Sequence, residues 1–135
     1  MKKIVFYLSL FLVVTLLFSS CFNDDEYYVK TTEYIPIIAY HIPDSASVSD
    51  TLEITAVTEV SSTCWHGLEF VLHRLEDTSY SFFAYGIFES YGYDCKPATI
   101  RRDTTILFQP DTTGTLIFYV RRDIYTLEKD TMYVD

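Results

Sequence analysis

Basic side chains are scarce in this chain: ten Lys and Arg stand against nineteen Asp and Glu in 135 residues. Proteins that grip phosphate backbones do so with clustered Lys and Arg, so nucleic acid is excluded as a partner. An acidic surface is equally unsuited to lying flat on anionic lipid. Glycine is scarce too, with four residues, and no Gly-rich phosphate loop occurs. GxSxG and HExxH are also missing. There is no CxxC pair, and His66 and His73 complete no zinc spacing. Those two histidines are seven residues apart, an odd separation that would send them to opposite faces of a straight strand. Carboxylate pairs such as Glu69 and Glu76 are too common in so acidic a chain to mark an acid and a base. No catalytic residue, cofactor or metal ligand is therefore assigned. No stretch sustains the i, i+3, i+4, i+7 spacing of an amphipathic helix. The apolar run Ile4 to Phe18, interrupted by Ser9 and Thr15, is shorter than the roughly 20 residues that span a bilayer.

What is present begins at the N-terminus. Lys2 and Lys3 precede the apolar run, small residues Ser19 and Ser20 follow it, and Cys21 comes next. A charged start, an apolar core and a small-residue exit make a secretory signal. Its exit at a cysteine, followed by Asp24-Asp25-Glu26, resembles the signal of Bacteroidota-type surface and outer-membrane lipoproteins. Phe18 stands where the strict pattern has Leu. The resemblance covers residues 1 to 26. It implies cleavage after residue 20, a diacylglyceryl group plus an N-acyl chain on Cys21, and attachment to a membrane without entering it. Two or more acyl chains hold stably where one is marginal. The acidic run resembles the export signal that sends such lipoproteins to the outer face of the outer membrane; a periplasm-facing position is the alternative. An ordinary signal peptide cut near Ser20 would instead leave Cys21 as a free thiol.

Three cysteines occur, and an odd number in an exported chain asks for an explanation. With lipid on Cys21, Cys64 and Cys95 remain as a pair in an oxidising compartment. Closing a loop of about 32 residues contributes roughly 3–4 kcal/mol in the chain-entropy model.

Removing the leader leaves 115 residues, enough for one domain, with eight basic against nineteen acidic residues and a formal charge of −11. Residues 21–33 read as the lipidated cysteine and an acidic tether, and 34–135 as the domain. From Tyr34 the chain reads as strands. Tyr34 to Ile42 is an edge strand broken by Pro36, followed by a turn at Pro43-Asp44-Ser45. Leu52, Ile54 and Ala56 alternate with polar residues, as do Leu68, Phe70 and Leu72, and then Leu116, Phe118 and Val120. Ser79–Ser90, Thr104–Phe108 and Thr131–Val134 complete the set. Asp-Thr recurs at residues 50, 77, 103, 111 and 130, and reads as turn followed by strand. Calcium ligation would require these separate aspartates to converge. About seven short strands predict an all-β fold, an antiparallel β-sandwich. It resembles immunoglobulin or fibronectin modules, although Trp65 adjoins Cys64 instead of following it at the usual distance.

The segment Tyr80 to Tyr93 is the candidate binding site. It carries seven aromatics, and in an extended strand they occupy both faces, so either both are covered or one is exposed. Tyrosines bury area while keeping a polar handle. The candidate residues for a ligand or partner are Tyr80, Tyr85, Phe88, Tyr91 and Tyr93; the plain alternative is that they fill the core. Arg101-Arg102-Asp103 and Arg121-Arg122-Asp123 could join in an anion site or simply pair with local carboxylates. The expectation is a lipid-anchored binding or assembly module of the cell envelope that does no catalysis and docks on an envelope protein or glycan. A glycan-binding accessory to polysaccharide uptake is the alternative, and a small hydrolase is a third.

Overall fold

Period-two alternation, with β-branched and aromatic residues at the inward positions, turns the chain into extended strands. The computed structural model describes residues 27–92 and 94–135. Among them are nine strands: β1 (Tyr28–Ile35), β2 (Ile37–His41), β3 (Ser45–Ala46), β4 (Leu52–Ser62), β5 (Trp65–Glu76), β6 (Ser79–Tyr91), β7 (Pro97–Phe108), β8 (Gly114–Arg121) and β9 (Leu127–Val134). They form two packed sheets. The smaller runs β2-β4-β7, and the larger holds the other six. No helix among the described residues is long and apolar enough to cross a membrane. The expected all-β sandwich is present.

Strand β6 organises the larger sheet. On one side it pairs with β5 over nearly its whole length. Its other side is shared: β1 lies antiparallel along Ala84–Tyr91, and β8 lies parallel along Ser79–Phe82. β3 and β9 form the second parallel pair, and the remaining pairings are antiparallel.

Nine strands stand where about seven were expected. Pro36 cannot donate to a ladder, and the chain changes sheet there, dividing the expected first strand in two. The Thr58 hydroxyl, fully buried, donates to the Pro36 carbonyl at 2.6 Å, which satisfies both groups at the crossing. Tyr28 to Glu33, assigned to the tether, instead pair with β6. Ser45–Ala46, within and just after the expected turn, pair with β9. Of the Asp-Thr pairs, Asp77-Thr78 forms the β5–β6 turn and Asp50 accepts from the Ser47 amide at 3.0 Å. Asp103 and Asp130 instead lie inside β7 and β9, where cross-strand pairing overrides their turn preference.

The core lies between the sheets. Leu116, Phe118 and Val120 from β8, Ile54 and Ala56 from β4, and Phe82 from β6 are buried there. Tyr80 stacks on Phe118 with ring centroids 5.3 Å apart and meets Phe108 edge-on at 5.1 Å. The disulfide joins Cys64 to Cys95, with Cα atoms 5.3 Å apart. It ties the β4–β5 connection to the β6–β7 connection, the two places at one end of the sandwich where the chain passes between sheets.

Candidate functional site

Alternation along β6 decides which aromatics reach solvent. Tyr80, Phe82 and Ala84 point into the core, so Phe83, Tyr85, Ile87, Glu89 and Tyr91 point away from it. Residues directly opposite on paired strands share a face. The β1 register therefore sets Tyr28 beside Tyr91, Lys30 beside Glu89, Thr32 beside Ile87 and Tyr34 beside Tyr85. From the other side, β5 adds His66 beside Ile87, Glu69 beside Tyr85 and Val71 beside Phe83. The outer face of the larger sheet thus carries a row of tyrosines interleaved with carboxylates.

The side chains on this face hold one another. Tyr28 and Tyr91 have ring centroids 4.6 Å apart in a tilted pair. The Tyr28 hydroxyl donates to Glu89 Oε1 at 2.8 Å. Glu89 Oε2 faces Lys30 Nζ at 3.5 Å and His66 Nε2 at 3.2 Å. The hydrogen bond to Glu89 pushes the Tyr28 phenol up to about 12, and that bond with the Lys30 and His66 charges holds the Glu89 carboxyl below its ordinary range. Tyr85 donates to Glu69 Oε2, a bond that raises the Tyr85 phenol. Tyr34 meets Phe83 edge-on at 5.4 Å. The Arg121 guanidinium lies 4.6 Å from the Tyr34 ring centroid, where the end of β8 abuts the end of β1. Thr32, Glu33, Tyr34, Phe83 and Tyr85 line an open groove of about 320 Å³.

The residues expected at a binding site are split by this geometry. Tyr85 is half-buried and Tyr91 is 58% exposed, both on the outer face. Tyr80 is a correction: at 6% exposure it belongs to the core, and desolvation raises its phenol. Phe88 is also corrected. It packs edge-on against Trp65 at 5.4 Å and shares the inward parity of Tyr80. Two side chains an even number apart on one strand cannot join others an odd number away in a single patch. Tyr93 and Cys21 lie outside the described residues. Comparison of the chain with family models, with curated proteins and with solved structures finds no match. The face has to be read from its own chemistry.

Sequence reasoning missed Tyr28 and Tyr34, which are 46% and 48% exposed. Their signal was the alternation Tyr28, Lys30, Thr32, Tyr34. It was masked because the intervening Val29, Thr31 and Glu33 are not an apolar set. The arginine pairs do not converge. Arg101 and Arg102 lie on β7 of the smaller sheet. Arg122 pairs with Glu128 at 3.5 Å and donates to the Ile38 carbonyl at 2.9 Å, fastening β8 to the β2 edge.

Proposed function

We propose that this protein is a lipid-anchored, non-catalytic binding module of the cell envelope, docking through the outer face of its larger sheet. The observation that carries the reading is the row of exposed Tyr28, Tyr34 and Tyr91 beside Tyr85 and the groove, on one rigid sheet. Amphipathic rings held in place by neighbours offer contact area at little entropic cost. The lipid on Cys21 would confine this face to a membrane surface, with the acidic run after it favouring outward display. The partner is an envelope protein or a glycan. Glycan binding, as an accessory to surface polysaccharide uptake, is favoured by one specific feature: tyrosine rings alternate with carboxylates, so apolar sugar faces and hydroxyl groups find partners together.

Two measurements test this. Mass spectrometry of the protein extracted from membranes should find acyl groups on Cys21, and Cys21→Ala should release it to the soluble fraction. For docking, the full chain in lipid nanodiscs should be retarded in gels cast with neutral polysaccharides, or should crosslink to one envelope protein. Tyr34→Ala and Tyr91→Ala should each weaken that binding about tenfold, the scale of losing one aromatic anchor. Binding untouched by both substitutions would remove this face as the docking surface.

A further inference from the structure

Strand β7 ends the smaller sheet with its outer edge unpaired. It is twelve residues long, and its ladder to β4 is regular from Ile100 to Phe108, with a shift only near Pro97. Of the other open edges, β1 and the stretch of β9 beyond β3 are regular but shorter, each strand having eight residues, and β2 and β5 are poorer templates. β2 has five residues and a register shift, while β5 carries two shifts and the left-handed Gly67. Irregularities of this kind blunt an edge; a long regular edge invites another strand. Among the described residues no ion pair engages Arg101, Arg102 or Asp103, the charged centre of β7. Glu59 stands opposite Arg101 on β4 without pairing to it.

We infer that β7 is a self-association edge, and that its partner is β7 of a second copy of this chain, paired antiparallel about a two-fold axis through Arg102. Charge complementarity chooses the occupant and the register. With the axis at Arg102, Arg101 of each copy faces Asp103 of the other, twice, on the outer face of the joined sheet. In the same row Thr99 faces Thr105, and Pro97 faces Leu107. Leu107 is 69% exposed in the single chain, and the second copy covers it. Shifting the axis to Arg101 or Asp103 places like charges opposite each other on that row and loses both Arg–Asp pairs. The chosen axis sets the two Arg102 side chains opposite each other, a like-charge contact on the inner row that the two Arg–Asp pairs have to outweigh. An open cleft of about 390 Å³, bordered by Trp65, Leu68, Ile100 and Arg102, lies beside this edge. It leaves room for inward side chains of the second copy. The contact joins the two smaller sheets and leaves the tyrosine face free, so it stands or fails separately from the docking function.

Edge pairing buries little area, which places the dimer in roughly the micromolar to millimolar range. The test is sedimentation equilibrium of the full chain in detergent, with Arg101→Asp, Asp103→Arg, the double exchange, and Arg102→Thr. The wild type should show a monomer–dimer equilibrium. Each single reversal should weaken it about tenfold or more, and the double exchange should restore it. Arg102→Thr should tighten it. Amide exchange at Ile100–Thr105 should slow as concentration rises. A monomer up to about 1 mM, or a dimer indifferent to the reversals, would overturn the inference. The double exchange guards against mistaking a folding defect for a lost contact.

Discussion

Glu89, on β6, gathers three partners from two strands: Tyr28 and Lys30 on β1, and His66 on β5. Two linkage effects follow with opposite signs. The Tyr28 phenol, ordinarily near 10.0, is raised to about 12. Its contribution to stability is complete below pH 10 and is lost as the pH rises towards 12. The Glu89 carboxyl is depressed from 4.5, so its contribution is complete above that value and is lost as the pH falls below it. Tyr28→Phe removes the shared hydrogen bond. The thermal midpoint of the variant should then decline less between pH 10 and 12 than that of the wild type, and the Glu89 carboxyl should titrate nearer 4.5 by NMR. An unmoved Glu89 titration would mean that the bond is not formed in solution. The residue scale is also where sequence reading reached least. Tyr80 and Tyr85 are alike in composition and neighbourhood, and only their parity against the core separates them.

At the scale of elements, the close approach of β5 to β6 rests on Gly86. A Cβ added there would lie 2.8 Å from Leu68 Cδ2 and 3.2 Å from Trp65 Cε3. Leu68 is buried, so its Cδ2 and the Trp65 ring must both give way towards the cleft they border. Gly86→Ala should therefore cost about 1–3 kcal/mol by overpacking, read as a lower urea midpoint at unchanged slope. A midpoint equal to wild type would show that Trp65 swings aside freely. Elements were the most legible level of the sequence. The alternation of β4 and β8 placed Ile54, Ala56, Leu116, Phe118 and Val120 correctly, because burial on one face leaves a period of two. β1 was not legible. Both its faces are mostly polar, and it is a strand because β6 offers it a ladder, a long-range fact that local pattern cannot carry. The same reason hid Ser45–Ala46, whose two residues owe their conformation to β9.

For the whole molecule, the pairing of Cys64 with Cys95 was expected once the resemblance assigned lipid to Cys21, whereas its position was not legible. It fastens the two connections between sheets at one end. Reduction, or Cys64→Ser with Cys95→Ser, should lower the stability by roughly 3–4 kcal/mol and raise the urea slope, since the unfolded chain is freed to expand. The comparison is between urea transitions of the full chain with and without reductant. Equal transitions would place the constraint in the core and not in the bridge. The formal charge of −9 over the full chain acts at this scale too, through mutual repulsion that added salt screens.

The two ends of the described chain also set how it would carry a load. Tyr28 enters beside Tyr91, while Val134 leaves beside Gly114, at the opposite end of the sandwich. A domain held at the first and dragged at the second is pulled along the axes of β1 and β9. Their ladder bonds lie across that direction, so tension is shared by a whole row and not concentrated on one bond at a time. The same topology that divides an edge of β6 between two strands makes the body resist unravelling under such a load.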